Sequence, residues 1–196
     1  MKTSAKHRKK KEFIVSAARD VFKNFGYKKT TMNDVAKAAG KGKSSIYYYF
    51  ESKDDIFKTV ILSEAIIYRD KVLGSISNSD DPHEKLKRYI MIRLQTDRIL
   101  SNFHRAINDP DLRHIRFVKK LKDLYDREEF SIFRGILEDG VKKGHFEVYD
   151  FRHAAVGIVT AMRGIESTLL LNPDDPHLEA KVENILNIVL YGIVKR

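Results

Sequence analysis

Residues 30–53 constrain this chain more than any other stretch, because they admit only one local architecture. They read Thr-Thr-Met-Asn-Asp-Val-Ala-Lys-Ala-Ala-Gly-Lys-Gly-Lys-Ser-Ser-Ile-Tyr-Tyr-Tyr-Phe-Glu-Ser-Lys. Two short helical patterns flank a Gly-Lys-Gly turn. Thr31 and Asp34 have the spacing of a capping box, in which each side chain satisfies a backbone N–H of the first turn. Val35 and Ala38 are expected to face inward, and Gly40 supplies the left-handed stop. In the second pattern, over 43–50, Ile46, Tyr49 and Phe50 fall at i, i+3 and i+4 and make one apolar face. Ser44, Ser45, Tyr47 and Tyr48 then point away from it. Eight residues of helix cannot bury three successive tyrosines on one side. Two short helices around a glycine turn, the second with an outward polar and aromatic face, have the form of a helix-turn-helix whose second helix enters a DNA groove.

The charge distribution agrees with that form. Residues 1–50 hold 13 Lys/Arg against 3 Asp/Glu, while the remaining 146 residues balance 24 against 24. The whole net charge of +10 therefore lies in the segment that carries the two helices. Such asymmetry points to an anionic partner met by one end of the chain. Lys43 and Lys53 bracket the second helix as phosphate anchors, the serine hydroxyls near its start can reach base edges, and a tyrosine hydroxyl can donate to phosphate. The cluster Arg8 to Lys11 reads as a mobile, solvated run adding non-specific attraction, with entry into a minor groove as the alternative.

Several classes of chemistry are excluded. There is no cysteine, hence no disulfide, thiolate nucleophile or Cys-based zinc site. The seven histidines are scattered with no i, i+4 pair, so no metal is expected. Gly42-Lys43-Ser44 resembles the end of a phosphate-binding loop, but the glycine required five positions earlier is Lys37. Neither a Gly-x-Ser-x-Gly elbow nor a dinucleotide-binding glycine fingerprint is present. No enzyme activity and no cofactor are expected. The apolar stretch after the basic start is interrupted by charge, and no run approaches the ~18 residues of a membrane span. The expectation is a soluble, cytoplasmic chain.

Helical periodicity runs throughout, with strand-like alternation only near 146–149, too brief for a sheet. A first helix is expected over about 7–25, with Phe13, Ala17, Val21, Phe22 and Phe25 inward and Gly26 as its stop. A break at 51–53, capped by Ser52 or Asp54, opens a fourth helix through Ile56, Val60, Ile67 and Val72. A polar linker is expected over 74–81, then helices over about 82–102, 114–143 and 150–171, and a last one opened by Pro176. The pairs Asp81-Pro82 and Asp175-Pro176 share one syntax, Asp at the cap and Pro at the first helical position. The fold class is all-α with about nine helices, divided as 1–53 and 54–196.

Over residues 13–60 the sequence resembles the tetracycline-repressor (TetR) family of bacterial regulators. The resemblance rests on Ile14, Val15, Ala17, Ala18, Val21, Phe22, Gly26 and Tyr27, then Thr30, Thr31, Asp34 to Ala36 and Ala38 to Gly40, then Ser45 to Phe50 with Ser52 and Lys53. It implies an N-terminal helix-turn-helix domain and a larger helical domain for dimerisation and effector binding. It assigns DNA contacts to Lys43, Ser44, Ser45, Tyr47, Tyr48 and Lys53, with Thr31 and Asn33 adding phosphate or base contacts. Two departures stand out: Lys41 where the family has a packed aliphatic, and Gly42 where it has a Ser-type cap. Lys41 is expected to swing outward toward phosphate.

In the neutral part, Ala154, Gly157, Ala161 and Gly164 share a helix face that allows close approach of another helix. Val182, Leu186, Val189 and Ile193 form a seam in the last helix. Both suit a homodimer, which would bring two recognition helices to successive major grooves about 34 to 36 Å apart. Polar groups in apolar settings nominate Tyr89, Arg93, His104, Tyr125, Arg163 and Glu166 for a ligand pocket, with Phe103 and Met162 among its walls. The functional expectation is a regulator, in the form of a repressor released from a pseudo-palindromic DNA operator by a small-molecule effector. The alternative is a DNA-bound regulator or architectural protein controlled by a protein partner without a small ligand.

Overall fold

The computed structural model describes residues 2–169 and 176–191; within them, the side-chain surroundings of 2–4, 97–99, 165–169, 178, 179, 182, 186 and 189–191 are not described. Nine α-helices and one 3-10 turn account for the architecture among the described residues: α1 Lys2–Lys29, α2 Met32–Ala38, α3 Lys43–Tyr47, α4 Lys53–Ser77, α5 Pro82–Ile99, α6 Ser101–Asn108, the 3-10 turn Pro110–Leu112, α7 Arg116–Lys142, α8 Phe151–Leu169 and α9 Leu178–Tyr191. The fold is all-α. The stretch 146–149 forms no strand. The chain divides into two compact units, one of Met1–Tyr68 with Ile99–Lys120 and one of Arg69–Arg98 with Leu121–Arg196.

The first unit holds the basic segment. Helix α1 begins at Lys2 rather than near residue 7, so the lysine run is helical. Lys and Ala are good helix formers, and a helix nucleated by a packed segment propagates into them at little cost. Gly26, at φ 76°, was expected as the stop and instead kinks the helix, which resumes to Lys29, and the Thr30 hydroxyl donates to its carbonyl at 2.7 Å. The buried stripe is Ile14, Val15, Ala18, Val21 and Phe22. Phe13 is 56% exposed and Phe25 62% exposed, so the inward face is rotated by about one residue from the expected one. Ile14, Ala18, Val21 and Phe22 make an unbroken i, i+4, i+7, i+8 row, to which Phe13 is only the edge.

In α2 the inward residues are Met32, Val35, Ala36 and Ala39, and Ala38 is exposed. Ile46 and Phe50 are fully buried behind α3, which ends at Tyr47 and continues to Phe50 as a turn. The Ser52 hydroxyl accepts the Asp55 N–H at 3.2 Å and caps α4. That helix runs on through Gly74 to Ser77, leaving only 78–81 as a linker; one glycine costs about 1 kcal/mol, too little to stop a 25-residue helix. Tyr68 rather than Ile67 is the buried residue there.

The expected helix over 82–102 instead breaks at Leu100, with α6 starting anew at Ser101. Leu100 offers no side-chain cap, and a carboxylate from α4 takes that role: Glu64, fully buried, accepts the first-turn N–H of Phe103 at 2.8 Å and the Asn102 amide at 2.9 Å. Asn102 also donates to the Arg19 carbonyl at 3.1 Å, and the Arg19 guanidinium lies 3.5 Å from Glu64. Three helices of this unit thus meet on one carboxylate.

In the second unit, Asp81 caps α5 by accepting the His83 N–H at 3.0 Å, and Asp150 caps α8 by accepting those of Arg152 and His153 at 2.8 and 3.0 Å. Helix α9 opens at Leu178, two residues after Pro176; Asp174 and Asp175 lie outside the described residues. Leu86, Tyr89, Phe133, Leu137, Phe146 and Ala155 are fully buried. After α7, Gly144 at φ 73° turns the chain back, and Phe146 lies directly over Gly140. Among the described residues no helix is long and apolar enough to cross a membrane.

Candidate nucleic-acid interface

The turn between α2 and α3 is built by its caps. The Thr31 hydroxyl accepts the Asp34 N–H at 3.2 Å and donates to the Asp34 carboxylate at 2.7 Å, which also accepts the Thr31 N–H at 2.9 Å. These bonds from the Thr31 hydroxyl and backbone hold the Asp34 carboxyl below the usual carboxylate range. Gly40, at φ 57°, reverses the chain, and Gly42 precedes α3 with no side-chain cap. Ile46 and Phe50 anchor α3 from behind, so the orientation of its outer face is fixed by burial.

That outer face carries most of the expected contacts. Tyr48 is 72% exposed and Tyr47 47% exposed; Lys43 and Ser44 are exposed and Ser45 is half-buried. The Lys43 ammonium stands 6.0 Å from the Tyr47 ring. Asn33 is exposed at the start of α2. Two residues are differently placed. The Thr31 hydroxyl is committed to the capping box. The Lys53 ammonium turns back to donate to the Tyr27 carbonyl at 3.0 Å and lies 4.3 Å from the Tyr27 ring. The Tyr27 hydroxyl in turn donates to Asp54 at 2.5 Å, and burial together with that carboxylate pushes it up to about 12. Lys53 therefore ties the kinked end of α1 to the start of α4.

The residues nominated for a ligand separate into two groups. In the second unit, Tyr89, Arg93, Tyr125 and Arg163 converge on Glu129, a buried acid of α7 that the sequence did not single out because an acid in a helix normally faces solvent. Its carboxylate accepts from the Tyr89 hydroxyl at 2.9 Å, from the Tyr125 hydroxyl at 3.5 Å and from Arg163 at 3.0 Å, and pairs with Arg93. Met162 is buried in the same unit. Phe103 and His104 belong to the first unit, where both rings pack on Tyr68, at 5.8 and 5.3 Å. The side chain of Glu166 lies outside the described residues. One grouping had no sequence signal: Asp81, His83 and His145 place their ligand-type atoms within 4.8 Å of one another, although the Asp81 oxygen is already engaged in capping α5.

Comparison with known proteins places this geometry. The model of the bacterial regulatory proteins of the tetR family matches residues 14–60. The HTH-type transcriptional regulator RutR of Escherichia coli O157:H7 is 31% identical, over 95% of this chain and 92% of that protein. The fatty acid metabolism regulator protein of Bacillus subtilis strain 168 is 25% identical, over 92% and 93% of the two chains. The crystal structure of a transcriptional regulator from Cytophaga hutchinsonii superposes with a TM-score of 0.73 at 27% identity, covering 94% of this chain and 98% of that one. These proteins are regulators of transcription rather than enzymes. With an HTH of this build and a relative matched over nearly its whole length, the chain belongs to the tetR family of bacterial DNA-binding transcription regulators.

Proposed function

We propose that the chain acts in the cytoplasm as a homodimeric repressor, released from a pseudo-palindromic operator when a small molecule occupies the part beyond residue 53. Residues 1–53 supply the DNA contacts, through Lys43, Ser44, Ser45, Tyr47 and Tyr48, with Asn33 alongside. Thr31 and Lys53 act by holding the turn and the end of α1. The observation that carries this reading is α3 itself: two exposed tyrosines on a helix anchored by fully buried Ile46 and Phe50. Exposed aromatic hydroxyls on an immobilised short helix suit phosphate and base contact.

The effector is read as a polar small molecule that engages the cluster about Glu129, competing for Arg163, whose side chain is 42% exposed. Dimerisation is assigned to α8 and α9. On α8, Gly157 is exposed and Ala154 and Ala161 are half-buried, which leaves room for a second helix; the seam residues Val182, Leu186, Val189 and Ile193 lie outside the described side chains. An effector that favours one dimer geometry by about 1–3 kcal/mol changes operator affinity some 5- to 150-fold. Selection of random duplex DNA by the purified protein tests the reading. A short inverted repeat bound with a steep salt dependence is the expected result, and binding with no enriched sequence would replace it with an architectural role.

A further inference from the structure

Resting on the reading of α3 as the groove-entering helix, we propose that the first turns of α1 and Lys41 form a second seat for DNA, in which a backbone phosphate is held by Lys6, Lys9, Lys10 and Lys41. A cleft of about 670 Å³ lies where α1 passes the α2–α3 turn, and these four lysines line it together with Ser45 and Tyr49 of the recognition segment. Among the described residues no carboxylate lines it. The acid nearest in sequence on α1, Glu12, faces Arg8 at 3.5 Å instead. Among the described residues none of the four lysines makes an ion pair. Four ammonium groups around one hollow repel each other, and an anion between them removes that cost.

The arm is also held in place. The His7 ring packs 4.7 Å from the Tyr49 ring and 5.8 Å from that of Tyr48, and the Lys11 ammonium lies 4.8 Å over the Phe50 ring. Helical spacing puts Lys6, Lys9 and Lys10 on one side of α1, at i, i+3 and i+4. Lys41 occupies the turn position expected to swing outward, and it closes the same cleft. Ser45 belongs both to this hollow and to the outer side of α3, so a DNA backbone flanking the groove that α3 enters passes the lysines. The basic run is then a docking element of fixed shape, which adds phosphate contacts without reading bases.

The test uses the full chain and the duplex selected by the wild-type protein, titrated at several salt concentrations. One variant carries K6Q, K9Q, K10Q and K41Q; its control carries K58Q, K71Q, K119Q and K120Q, exposed lysines outside the cleft with the same change in net charge. Each lost phosphate contact lowers the log-affinity against log-salt slope by about 0.9, so with one seat in each protomer of the proposed dimer the cleft variant is expected to lose roughly 2 from its slope while selecting the same sequence. The control should lose much less. An unchanged slope in the cleft variant, or equal losses in both variants, overturns the seat. A wild-type protein that enriches no sequence defeats the reading of α3, and the seat is then still judged by the two slopes on random duplex.

Discussion

Glu64 and Glu129 are both fully buried carboxylates, yet they are held in opposite ways. Glu64, in the first unit, accepts from a backbone amide and a side-chain amide, and the Arg19 guanidinium lies 3.5 Å away as its counter-charge. Both amides sit on the first turn of α6, so the carboxylate is fixed by the backbone it caps. Glu129, in the second unit, is surrounded by two tyrosine hydroxyls and two arginines on long side chains. A hydroxyl can donate or accept, and a long side chain can leave without moving a helix. The first arrangement defines a joint. The second is one that a ligand could rearrange, which is why the proposed effector site falls there.

The largest expected effect comes from Glu64→Gln. Both oxygens now accept from nitrogen donors, so the amide must aim its NH2 at one of them, and Arg19 loses its counter-charge. Disrupting a buried charged cluster of this kind costs about 3–5 kcal/mol, read as a lower urea midpoint. A loss within the ~0.5 kcal/mol of ordinary surface changes would end the comparison. Asn102→Ala removes a bridge between Glu64 and the Arg19 carbonyl and is expected to cost about 1.5–3 kcal/mol, as for hydrogen bonds to charged groups. Tyr89→Phe should cost only about 0.5–1.5 kcal/mol, because Glu129 keeps Arg93 and Arg163. A larger loss than for Asn102→Ala would show that the second cluster is the more rigid. Arg163→Ala, at a side chain partly open to solvent, should cost under about 1 kcal/mol after screening, and equilibrium unfolding decides it.

Acid provides a further contrast outside both clusters. Hydrogen bonds from Lys85 at 2.9 Å and Lys143 at 3.0 Å hold the Asp139 carboxyl below the usual carboxylate range. Its folded value is depressed, so the stability it contributes is present above the unfolded value near 3.8 and is lost as pH falls through the lowered one. Asp139→Asn should therefore flatten the acid limb of stability against pH. An acid limb identical to that of the wild type would remove Asp139 from this role.

Local rules carried much of this fold into the sequence. The Thr31–Asp34 box, the Asp81-Pro82 and Asp150 starts, and the Gly40 and Gly144 stops are interactions between near neighbours, visible without tertiary information. Boundaries set by distant partners were not visible. Nothing near Leu100 announces a helix break, because the group that caps α6 comes from residue 64. The lysine run is solvated as read but helical rather than mobile, because charge was read without the packing of Ile14 and Ala18 that extends the helix into it. On the outer side the exposed residues of α3 followed from its apolar face, whereas the inward turn of Lys53 depends on Tyr27, 26 positions away. Glu129 was missed for the same reason: Tyr89 and Arg93 reach it from α5 and Arg163 from α8, and only Tyr125 is a near neighbour.

The notch at Gly140 has a consequence for how this sequence can vary. A methyl group there would overlap the Phe146 ring unless that ring moved, so alanine, ordinarily the better helix residue, is disfavoured in the last turn of α7. Residues 140 and 146 therefore carry one joint specification rather than two independent ones. A library that randomises either alone should return almost only the parental residue, while one that randomises both should return pairs in which a smaller residue at 146 accompanies alanine at 140.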